Sequence, residues 1–69
     1  MVEVFKTNVA EVSMAKKLLS LLTMLFPDKK INFDLDDCDK ILRVEGENLM
    51  TKSVISLVND NGYNCIVLD

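Results

Sequence analysis

Ile31-Asn32-Phe33-Asp34-Leu35 is followed, after Asp36-Asp37-Cys38-Asp39-Lys40, by Ile41-Leu42-Arg43-Val44-Glu45 and then Gly46. In the first run Ile31, Phe33 and Leu35 alternate with polar residues, a period of two that belongs to a half-buried strand. Leu42 and Val44 give the second run the same period and one inward face. Asp36-Asp37-Cys38-Asp39 reads as the turn, because aspartate bonds its own main chain and tolerates unusual backbone angles. Two strands around a short acidic turn make an antiparallel hairpin, and the rest of the domain must cover its apolar side.

Upstream the period lengthens. Val12, Ala15, Leu18, Leu19, Leu22, Leu25 and Phe26 fall on one helical face, with Ser13, Lys16, Lys17, Ser20 and Thr23 opposite. Asn8 with Glu11 three residues later predicts an N-cap and capping box, and Pro27 ends the helix. Before it, Val2-Glu3-Val4-Phe5-Lys6-Thr7 reads as a strand with Val2 and Val4 turned to the core. Downstream, Met50, Val54, Leu57 and Val58 mark a second helix over about 48–61, stopped by Asn61-Gly62. Residues 63–68 supply the last strand. The order β-α-β-β-α-β gives the fold class: α+β, a ferredoxin-like sandwich with two helices on one face of a four-stranded antiparallel sheet.

The 69 residues form a single domain, 1–69, and 49% hydrophobic residues suffice for a modest core. A formal net charge of −3 disfavours nucleic acid and anionic membranes as partners. No apolar run approaches the roughly 18 residues of a membrane span. Met1 leads directly into a charged, alternating segment and not into a signal peptide. Two cysteines are too few for a secreted disulfide framework, so a reducing, cytoplasmic setting is expected.

The element order, the strand Lys40-Ile41-Leu42-Arg43-Val44-Glu45-Gly46 and the pair Gly62-Tyr63 resemble the heavy-metal-associated domain family, found in copper chaperones and in modules of metal-pumping ATPases. The resemblance spans essentially the whole chain and rests on packing features. It implies a ferredoxin-like fold and, in that family, a Met-x-Cys-x-x-Cys segment after the first strand whose thiolates chelate a soft ion. The corresponding stretch here is Thr7-Asn8-Val9-Ala10-Glu11-Val12-Ser13-Met14, with neither cysteine nor histidine. Val9 takes the place of the motif methionine, a packing residue in that family. Met14 and Glu11 do not make a soft-metal site, so no metal ligand and no cofactor carries over.

Other constellations are equally plain. Cys38 sits at the hairpin tip and Cys65 in the last strand on the far side of the sheet. They are therefore expected to stay unpaired, Cys65 as a small buried hydrophobe and Cys38 as an accessible turn residue. Asp34, Asp36 and Glu45 match three positions of a calcium loop, but Asp39 stands where that loop needs glycine and the flanks are strands. Met14, Met24 and Met50 are dispersed over two helices. With no histidine, no phosphate loop and no nucleophile–base pair, an enzyme is not expected. RNA recognition fails for want of aromatics on the third strand, and an amino-acid-binding regulatory domain lacks its glycine-rich loop.

Two functions remain. One is a non-enzymatic interaction module working through a protein partner or self-association. The other is a metal carrier or sensor with unusual ligands drawn from Cys38, Met14 or the aspartates from Asp34 to Asp39. For the first, strand alternation predicts an uncovered sheet face with Phe5, Ile41, Ile66 and Leu68 as a contact surface edged by charge, and Cys65 turned inward.

Overall fold

The acidic hairpin forms as its alternation requires. In the computed structural model, which describes residues 1–68, β2 (Lys30–Asp34) pairs antiparallel with β3 (Ile41–Glu45), and Phe33 lies opposite Leu42 and Ile31 opposite Val44. The turn closes with the Asp39 N–H donating to Asp37 Oδ1 at 2.8 Å and the Lys40 N–H to the Asp37 carbonyl at 3.0 Å. Ahead of the hairpin come β1 (Val2–Thr7) and α1 (Val12–Leu25); after it come α2 (Thr51–Asp60) and β4 (Cys65–Val67). The sheet order is β2-β3-β1-β4, with every neighbouring pair antiparallel.

One face of this sheet carries Phe5, Leu42, Val44 and Cys65, which meet Leu22, Phe26, Val54 and Val58 from the helical layer in a single core. A smaller cluster of Val9, Ala15 and Leu18 sits under the start of α1. The expectation that Val2 and Val4 face the core and Phe5 faces away is reversed. Phe5 is 1% exposed, and Val2 is 52% exposed. Both alternations are available to Val2-Glu3-Val4-Phe5, and the larger phenyl ring gains more from burial than two valines on a strand beside the sheet edge. Pairing fixes the outcome, because Phe5 lies opposite Leu42 and Val67 in the inward row. Glu3 shares that side at its rim, where its carboxylate accepts a hydrogen bond from Thr51 Oγ1 at 3.1 Å.

Three local expectations are also corrected. The first turn of α1 has no capping box: Glu11 is the N-cap with no side-chain bond, and Asn8 Oδ1 instead accepts the Asn64 N–H at 2.7 Å. Helix α2 begins at Thr51, not near 48, because Asn48 adopts φ 53 and Met50 is an exposed N-cap outside the apolar stripe. Val12 and Leu25, at opposite ends of α1, are exposed. A 14-residue helix runs about 21 Å, longer than the ~17 Å of a five-residue strand, so its ends overhang the sheet. The stop of α2 is as expected: Gly62 takes φ 91 and donates to the Asn59 carbonyl at 2.9 Å.

Candidate functional site

The uncovered face of the sheet is built by the register. With Phe5 inward, Val2, Val4 and Lys6 of β1 point away from the helices, as do Arg43 and Glu45 of β3 and Ile66 of β4, which lies opposite Lys6. The Leu68 N–H donates to the Val4 carbonyl at 2.8 Å, which sets Leu68 beside Val4. Val2, Val4, Leu68 and Ile66 thus form an apolar strip along β1 and β4. Ile66 is 58% and Leu68 39% exposed. The other half of the face is charged, with Lys30 and Asp34 on β2 beside Arg43 and Glu45 on β3.

Of the four residues expected on this surface, Ile66 and Leu68 stand on it and are accessible. Ile41 is on the same face but only 7% exposed. The hairpin end is drawn against β1 there, through the Thr7 N–H to the Asp39 carbonyl at 3.0 Å and Lys6 Nζ to Asp39 at 3.6 Å. Phe5 belongs to the core and is withdrawn from the surface. Val2 and Val4 replace it. The one hint available in the sequence was the size of Phe5 against its valine neighbours.

The loop between β1 and α1, where the metal-binding family keeps its ligands, is packed and fastened. Val9 is 0% exposed and lies against Ala15 and Leu18, with Met14 packed beside them. Thr7, the one buried polar residue of the described chain, accepts the Val9 N–H at Oγ1 (3.2 Å) and donates from Oγ1 to the Lys40 carbonyl (2.6 Å). The Asn8–Asn64 bond ties the same loop to the start of β4. Glu11 is exposed and belongs to no cluster of three or more His, Cys, Asp or Glu side chains among the described residues.

Asp37, Cys38 and Asp39 do bring one carboxylate oxygen each and a thiol within 4.8 Å of one another. Asp37 Oδ1 already holds the Asp39 N–H, and Asp39 Oδ1 faces Lys6, so turn formation and an ion pair account for their placement. Asp34 and Asp36 do not join that group. Cys38 is exposed and Cys65 buried, and both are free thiols. Burial pushes the Cys65 thiol up to about 11, which keeps it protonated and inert at neutral pH. No helix is long and apolar enough to cross a membrane among the described residues. No known protein family, curated protein or solved structure matches this chain.

Proposed function

We propose that this protein is a non-enzymatic interaction module on a ferredoxin-like scaffold, of heavy-metal-associated type but without that family's soft-metal site, and that it works through the uncovered sheet face. The supporting observation is the continuous strip of Val2, Val4, Leu68 and Ile66 on that face, opposite the helical layer. Lys6 and Arg43 border the strip, so it suits a protein partner that presents apolar side chains edged by carboxylates. The loop held by Thr7, Val9 and Asn8 supports the absence of a soft-metal site, since the space is filled by packing and backbone bonds. A cytoplasmic location is part of this reading and accords with two cysteines that are not paired with each other.

Ile66→Asp tests the reading. The variant is expected to keep its circular dichroism spectrum and thermal midpoint while losing the partner retained by the wild-type chain. Retention of that partner by the variant would remove the open face from the proposal. The rival, a metal carrier using Asp37, Cys38 and Asp39, is separated by titrating the reduced protein with Cu(I) and Zn(II) and measuring native mass. A stoichiometric complex that survives a micromolar chelator would replace the interaction module with the carrier.

A further inference from the structure

Strand β2 is an edge of the sheet, paired with β3 on one side only, so the other side offers a row of N–H and C=O groups. Its five residues are Lys30-Ile31-Asn32-Phe33-Asp34. Read against a reversed copy of itself about Asn32, this sequence is self-complementary. Lys30 meets Asp34, Ile31 meets Phe33 and Asn32 meets Asn32. Antiparallel strands place residues directly opposite with Cβ atoms about 5 Å apart, where opposite charges attract and apolar pairs pack. Lys30 and Asp34 are exposed, and neither has an ion-pair partner among the described residues.

We infer that β2 pairs antiparallel with β2 of a second copy of this chain, about a two-fold axis at Asn32, giving a dimer with one continuous eight-stranded sheet. On the open face two Lys30–Asp34 pairs flank an Asn32–Asn32 contact. On the helical side Ile31 and Phe33, which point to the core but are left half-buried at the edge, cover one another across the joint. Helix α1 packs over β2 and borders it with an open groove of about 390 Å³ whose lining mixes Val12, Leu19, Phe33 and Leu35 with the charged Lys16 and Asp36. Val12 is exposed there, and the partner's α1 enters the same layer on the other side of the axis.

The other edge does not offer this match. β4 has three residues, Cys65–Val67, and no charged one. Lysine on an edge strand ordinarily discourages pairing, because a random partner leaves its charge unmet. Here the self-register supplies the missing aspartate. An isologous contact of this kind closes on itself and does not propagate into fibres. The pairing leaves the strip of Val2, Val4, Ile66 and Leu68 free, so it stands independently of the open-face reading.

A charge exchange tests it. In the homodimer of Lys30→Glu a glutamate faces Asp34 in each of the two cross-strand pairs, and in that of Asp34→Lys a lysine faces Lys30 in each. Sedimentation equilibrium of the reduced wild-type chain should give a dimer, and each single variant should associate at least roughly tenfold more weakly, since two attractive cross-strand pairs become two repulsive ones. An equimolar mixture of the two variants restores both attractions and should recover the dimer. Circular dichroism of each variant checks that these exposed changes leave the fold intact. A wild-type chain that remains monomeric up to about 1 mM would overturn the proposal. So would single variants that dimerise like the wild type, or a mixture that does not. Ile66→Asp should leave this dimer unchanged, and a dimer lost through that variant would assign self-association to the open face instead.

Discussion

The two faces of the sheet use the same alternating strands for opposite ends. The covered face is apolar from β2 to β4, with Phe33, Leu42, Phe5 and Val67 in one cross-strand row. The matching row on the open face runs Asp34, Ile41, Lys6 and Ile66, alternating charge with hydrocarbon. A side chain on the first row is held by two layers, and one on the second touches only its neighbours in the sheet. Stability therefore concentrates on the covered face, and the open face can vary without unfolding the chain.

The largest expected contrast comes from one substitution on each face. Phe5→Ala removes a fully buried ring and should cost about 3–5 kcal/mol, a large share of what a domain of this size possesses. Ile66→Asp should shift chemical denaturation by no more than about 0.5 kcal/mol. A small effect of Phe5→Ala would return that residue to the surface and reverse the two faces.

Thr7→Val probes the fastening of the β1–α1 loop with little change of volume. The Val9 N–H and the Lys40 carbonyl both lose Oγ1, so a loss of roughly 1–3 kcal/mol is expected from urea unfolding. A neutral outcome would mean that the loop is held by the Val9 packing alone.

A further effect is a pH dependence that resides on the covered face. Cys65 is raised to about 11 when folded, whereas an unfolded thiol ionises near 8.5–9. Below that lower value both states hold the proton and the full stability is present. As pH climbs from about 9 to about 11 the unfolded state loses its proton first, so stability falls by on the order of 1–2 kcal/mol. Cys65→Val should abolish this component, visible as a converging difference between the two unfolding curves at alkaline pH. At neutral pH, Cys38 should label rapidly with a thiol reagent and Cys65 only through opening of the sheet.

Much of the architecture lies in local pattern. The period of two in Ile31–Glu45, the helical spacing of Ala15, Leu18 and Leu22, and the Asn61-Gly62 stop each follow from neighbours in sequence, because strand, helix and turn preferences are set within a few residues. The absence of cysteine and histidine between Thr7 and Met14 was equally plain, being a matter of residue types. Local pattern failed where two solutions were equal along the chain. Val2-Glu3-Val4-Phe5 alternates whichever way it is turned, and only the pairing of Phe5 with Leu42 and Val67 chose between them. Asn8 had the form of a helix cap, yet its carboxamide went to the backbone of Asn64, 56 residues away. Ile41 lay on the face assigned to it but was covered by a hairpin end whose position depends on Thr7, Lys6 and Asp39 together. The sequence by itself determined which segments become strands and helices and that the β1–α1 loop carries no cysteine. Which side of β1 is buried, and so which residues remain exposed on the open face, was decided by tertiary structure, because burial is a property of the neighbours a strand acquires and not of the strand alone.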